Sequence, residues 1–205
     1  MNLRHVGLLL FLLVTSALPF LTGCWVQSVY PFYKDSDVVV DPTLVGAWVG
    51  EAELKNCLLN ISLDSDSQTY KLELLPLLPA SAKADSGAQC ESTKLAGKLV
   101  QVGRLRFLDI TLDPDKFWPA ALDTVLKVDA NQQGLTLMPL DAEWMSNALG
   151  NGSLKLQGRI QESGGLLPTV AVTLVSPTSE LRDFLLQAGT EGAFSRTDQM
   201  RFLRR

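Results

Sequence analysis

The chain has 205 residues, 46% of them apolar and 20% charged, with a formal net charge of −4. That composition supports one domain with a sizeable core, and the mildly acidic balance excludes the basic face that nucleic-acid binding needs. The sole histidine is His5, so a chain that loses its N-terminus has no imidazole for a Ser-His-Asp triad, a Cys-His dyad or a histidine-ligated zinc site.

No Gly-x-Ser-x-Gly, Ser-x-x-Lys, Cys-x-x-Cys or phosphate-cradling glycine loop occurs. An enzyme would have to work through carboxylates, lysine or tyrosine. The sequence therefore reads as non-catalytic, with no catalytic residues, no cofactor and no metal ligands assigned.

The opening is MNLRHVGLLLFLLVTSALPFLTGC. Arg4 and His5 form a short polar start, and Val6 to Phe20 is almost wholly apolar. At roughly 15 residues this run suits a signal-peptide core better than a membrane span, which needs ~20. It ends in Leu21-Thr22-Gly23-Cys24, which resembles a bacterial lipobox, Leu-x-Gly-Cys. The resemblance implies that residues 1–23 are a signal peptide, that cleavage falls before Cys24, and that the Cys24 thiol receives a diacylglycerol. One acyl chain holds a protein only weakly, whereas two or three on one cysteine anchor it to the bilayer. The next residue is Trp25 rather than aspartate. In lipoproteins of enterobacterial type that resembles an outer-membrane address, with the domain on the periplasmic face.

Residues 24–43 read as a tether. The aromatic run Tyr30-Pro31-Phe32-Tyr33 is unlike a free linker, since disordered segments are poor in aromatics. These rings are expected to settle on the outside of the domain. With Cys24 acylated, Cys57 and Cys90 remain. In an oxidising envelope compartment they are candidates for a disulfide. The alternative is a buried thiol at Cys57, which lies on the apolar phase of its strand, and a loop thiol at Cys90.

From Leu44 the pattern is β. Runs 45–54, 57–63, 69–77, 91–102, 104–112, 124–130, 134–140, 153–161 and 166–175 alternate or are continuously apolar between turn residues. Residues 79–89 form a small polar loop. The run 153–161 alternates most cleanly, with Leu154, Leu156, Gly158 and Ile160 on one side. Residues 141–150 read as an inserted helix capped by Asp141. Residues 178–188 read as a C-terminal helix, capped by Ser176 or Thr178 and stopped at Gly189. About nine antiparallel strands with these two helices predict a mainly β domain over 44–190, a meander barrel or a sandwich. Residues 191–205, with Arg196, Arg201, Arg204 and Arg205, read as a basic, frayed tail.

Gly46-Ala47-Trp48 opens the first strand. Gly-x-Trp there resembles the start of lipocalin (calycin) barrels. The resemblance implies that Trp48 closes the barrel floor against an arginine from a late strand, a part assigned to Arg159. The order of lipobox, QSVYPFY, DPTLVGAW, FLDI, LDAEWMSNAL and SPTSELRDFLL also resembles a group of bacterial lipoproteins with no assigned activity.

Other candidates have plainer readings. Asp64-x-Asp66-x-Gln68 imitates the start of a calcium loop but lacks its glycine and glutamate, and reads as a hairpin turn. Asp109, Asp113 and Asp115 near Lys116 offer paired carboxylates, although Asp113-Pro114-Asp115 is also a turn. Trp118 and Trp144 suit either a ligand mouth or the core. Two functions follow. The first is a membrane-anchored binding module holding a lipid or other apolar ligand in its barrel. The second is a filled barrel that docks on another envelope protein.

Overall fold

The computed structural model describes residues 25–77, 90–112, 121–163 and 169–205. Among these residues eleven strands form one hydrogen-bonded sheet. They are β1 (Val26–Ser28), β2 (Gly46–Gly50), β3 (Cys57–Asp64), β4 (Thr69–Pro76), β5 (Thr93–Val102), β6 (Leu105–Leu112), β7 (Leu122–Ala130), β8 (Gly134–Pro139), β9 (Gly158–Ser163), β10 (Thr169–Leu174) and β11 (Met200–Arg204). Among the described residues two helices accompany them, α1 (Ala142–Gly150) and α2 (Thr178–Glu191).

Eight of the strands close an antiparallel barrel. β2 to β8 follow one another around the wall, and β11 completes the circle between β8 and β2. The expected barrel is thus present, but two of its parts are redistributed. The segment expected as a frayed tail supplies the closing strand. Its period of two is legible in Met200, Phe202 and Arg204, yet the arginines around it disguise the pattern. The expected strands at 153–161 and 166–175 leave the wall. Their places are taken by β9 and β10, which with β1 make a side sheet off β7. β1 runs parallel to β10, and β10 antiparallel to β9.

The inward positions of the wall alternate as a half-buried strand should. Leu59 and Ile61 of β3, Tyr70 and Leu72 of β4, Leu108 and Ile110 of β6, and Leu135 and Leu137 of β8 meet Trp48 and Phe202 inside. β5, β6 and β7 are buried on both faces. Outside them lies a second core, where Val100, Phe107 and Val125 meet the side sheet, α1 and α2. Phe107 stacks with Phe194 at 5.5 Å between ring centroids. Trp144 stacks with Phe184 at 6.5 Å, so it serves this core rather than a ligand mouth.

The helix ends are set by local chemistry. Asp141 caps α1, its Oδ1 accepting from the Trp144 N–H at 2.9 Å. α2 follows Pro177 and has no side-chain cap. Ser176, an expected cap, instead accepts from the Gln157 N–H at 2.8 Å. α2 runs past Gly189 to Glu191 and stops at Gly192, whose φ of 80° suits a residue without a Cβ. Cys57 and Cys90 are joined by a disulfide with their Cα atoms 5.5 Å apart.

The expected tether is built into the fold from its start. β1 begins at Val26, Phe32 is fully buried, and Val38 bridges to Val100 of β5. The aromatic content explains the difference, because Phe32 finds a place in the second core.

Candidate functional site

One end of the barrel is closed by three interlocking groups. Asp41 begins a 3-10 turn, Pro42–Leu44, its Oδ1 accepting from the Thr43 N–H at 2.9 Å. The turn lays Leu44 into the barrel and presents carbonyls at the rim. Arg204 takes two of these, with Nη1 donating to Thr43 O at 2.9 Å and Nη2 to Val45 O at 3.1 Å. Its guanidinium lies 5.1 Å from the Trp48 ring centroid, and Trp48 Nε1 donates to Leu44 O at 3.0 Å. A Cβ at position 46 would stand in ordinary contact, 3.4 Å from Arg204 Nη2, but φ there is +143°, so the backbone favours glycine.

The floor expected from Gly46 and Trp48 therefore exists, but its cation is Arg204. Arg159 is exposed on β9, the last strand of the side sheet, opposite Thr173. The reason is topological: β9 never enters the barrel wall, whereas β11 pairs directly with β2 through Arg204 and Trp48.

Beside this floor, the Tyr70 hydroxyl accepts from Asp41 N–H at 2.8 Å and donates to Asp41 O at 3.1 Å. Arg106 makes an ion pair with the Asp41 carboxylate and donates to Ala130 O at 3.3 Å. Burial pushes the Asp41 carboxyl up, but hydrogen bonds from Thr43 and the charge of Arg106 outweigh it and hold it below its ordinary value.

The interior next to this floor is filled. The void between Leu44, Tyr70, Leu108 and Leu137 is about 10 Å³, about the room of one water, and its walls are apolar. At the opposite rim β4 and β6 end and β5 begins. There the inward Leu74, Leu95 and Leu112 are half-buried against the core. The Cys57–Cys90 disulfide ties the same rim.

The second concentration of chemistry lies outside the wall, beneath the N-terminal segment. Asp109 of β6 is 2% exposed and accepts from the Phe32 N–H through Oδ2 at 3.0 Å. Asp123 of β7 accepts from Thr111 Oγ1 at 2.8 Å. Thr111 faces Asp123 and Asp109 faces Val125 in the register, so the two carboxylates are diagonal neighbours, a geometry of roughly 7–8 Å between strand positions. Burial, then the charge of Asp123, pushes the Asp109 carboxyl up to about 7. Burial also raises Asp123. Tyr33 is pushed up to about 12 by burial and by the nearby charges of Asp109, Asp123 and Asp35. Asp109 is expected from the sequence in an acidic cluster with Asp113 and Asp115. In the fold it sits within an apolar core, sealed by Phe32, and its buried oxygen serves the backbone of the N-terminal segment.

That segment is also clamped at Asp37. Arg182 of α2 grips it with Nε to Oδ2 at 2.8 Å and Nη2 to Oδ1 at 2.9 Å. The guanidinium hydrogen bond holds Asp37 below the usual carboxylate range. Nothing local in the sequence signals this pair, because Asp37 and Arg182 are 145 positions apart.

Asp64, Asp66 and Gln68 lie at the β3–β4 hairpin, as a turn. Among the described residues no group of three His, Cys, Asp or Glu side chains converges as a metal site would require. Cys24, Asp113, Asp115, Lys116 and Trp118 lie outside the described residues.

No protein-family model matches the chain, and neither a curated protein nor a solved structure matches it. The fold itself defines the class: a closed eight-stranded antiparallel barrel of calycin-like plan, with extra strands and two helices.

Proposed function

We propose that this chain is a lipid-anchored lipoprotein of the bacterial envelope whose barrel is a solid, non-catalytic interaction module. The carrying observation is the packed floor end of the barrel, where fully buried Trp48 and Tyr70 stand beside a void of only about 10 Å³. A drug-sized ligand needs roughly 300 Å³ or more. The anchoring half of the reading rests on Leu21-Thr22-Gly23-Cys24. Outer-membrane residence rests on Trp25 following the cysteine. The buried carboxylates do not favour catalysis, because Asp109 is closed to any substrate by Phe32.

A second reading, an apolar-ligand carrier, is favoured by the half-buried Leu74, Leu95 and Leu112 at the rim away from the floor. An acyl chain or similar group would enter there rather than reach Trp48.

Native mass spectrometry of the intact protein from its own envelope, with organic extraction, separates the two. An empty protein that repeatedly brings one envelope protein with it supports the interaction module. A stoichiometric lipid of defined mass, released only on unfolding, replaces it with the carrier.

A further inference from the structure

The side sheet has one buried and one open face. Val26 and Ser28 of β1, and Val172 and Leu174 of β10, are buried on the inner side. Alternation puts Gln27 of β1, Ala171 and Thr173 of β10, and Arg159 and Gln161 of β9 on the outer side, with the flanking Trp25, Val29 and Val175 continuing it. Backbone hydrogen bonds hold these neighbours together: Val172 N–H donates to Trp25 O at 3.0 Å, and Val29 N–H to Leu174 O at 3.0 Å. Trp25, Val29 and Val175 are 36%, 44% and 44% exposed, and the adjoining Tyr30 is 48% exposed. None of the eight outer positions is acidic, and Arg159 is a cation.

We propose that this face, with Trp25, Val29, Tyr30, Val175 and Arg159, lies directly on the lipid bilayer. The inference rests on the reading that Cys24 is acylated. Cys24 is two residues from Val26, so its Cα lies at most ~7 Å from the first strand. A tether of some twenty residues would let the domain stand away from the membrane; this one leaves no slack. The residues brought to the surface match an interface. Tryptophan and tyrosine favour the headgroup layer, valines bury apolar area, and an arginine is attracted by anionic lipid. The floor and the β3–β4 hairpin remain free for a protein partner, β3 lying across the barrel from β7.

The test uses full-length lipoprotein reconstituted in phosphatidylethanolamine–phosphatidylglycerol vesicles, with an environment-sensitive fluorophore on V29C, V175C or D66C. Cys57 and Cys90 are bonded to each other, and Cys24 is alkylated in this reading, so the introduced thiol is the one that labels. Labels at 29 and 175 are expected to shift to the blue and to be quenched several-fold more by lipid-borne nitroxides than the label at 66. A protein that carries acyl mass and floats with vesicles, yet shows equal, water-like emission at all three sites, overturns the docking and leaves the anchor intact. Shielding at 29 and 175 in native envelopes but not in pure lipid assigns the face to a protein instead and also overturns it. A protein without acyl mass on Cys24 overturns both readings.

Discussion

The Arg204 guanidinium lies 5.1 Å from the Trp48 ring, and each residue also bonds a carbonyl of the segment that closes the barrel. Two strands from opposite ends of the chain thus lock one floor. Arg204→Ala removes a cation–ring contact and two hydrogen bonds, and is expected to cost about 1–3 kcal/mol in urea unfolding. Trp48→Ala is expected to cost about 3–5 kcal/mol through loss of a fully buried ring. Arg159→Ala, exposed on the side sheet, should change stability by less than about 0.5 kcal/mol. An Arg159 effect equal to that of Arg204 would contradict this assignment.

Asp109 sets a pH dependence of definite sign. Its carboxyl is pushed up to about 7, so the fold holds a proton that the unfolded chain releases near pH 4. Its contribution is full below about pH 4, declines as pH rises towards 7, and is then lost, a span on the order of 4 kcal/mol. Asp109→Asn keeps an acceptor for the Phe32 N–H and carries no charge. It should flatten this decline and raise stability at pH 8, as read by denaturant midpoints across pH.

Asp37 contributes with the opposite sign. Its carboxyl is held low by the Arg182 hydrogen bond, so the pair stabilises the fold above the ordinary carboxylate value and fades as pH falls through the depressed one. Arg182→Met leaves a buried carboxylate without its partner. The expected loss is about 2–3 kcal/mol at neutral pH, discounted for the partial exposure of the arginine. The double variant with Asp37→Asn should recover part of it, which a double-mutant cycle measures.

The Cys57–Cys90 bond closes 33 residues of sequence separation across one rim. Replacing both cysteines with serine is expected to cost about 3–4 kcal/mol, mainly by loosening the unfolded chain. Thermal melts of the variant and of reduced wild-type protein should coincide.

Strands with clean turn signals were legible from sequence: β3 to β8 stand close to where alternation and Gly103 place them, and α1 begins at its capping aspartate. What was hidden has physical causes. β11 was masked by its arginines, of which Arg204 serves the rim while Phe202 fills the core. Residues 153–157 alternate but do not join a strand, because alternation marks a face without naming a partner. Phe32, Asp109, Asp37 and Arg182 meet through contacts between distant parts of the chain, which no local pattern encodes.

The position of β11 governs the order in which this protein can be completed. Translation makes β2 through β8 first, and none of them can close the wall, because the gap between β8 and β2 is filled by residues 200–204. Until those residues arrive, two strands present unpaired backbone, the state most open to wrong pairing. The wall of the barrel is thus completed by β11, after the strands it joins have been made. A chain made N-terminus first therefore holds β2 to β8 unclosed until residues 200–204 follow, and the floor latch of Arg204 comes with them.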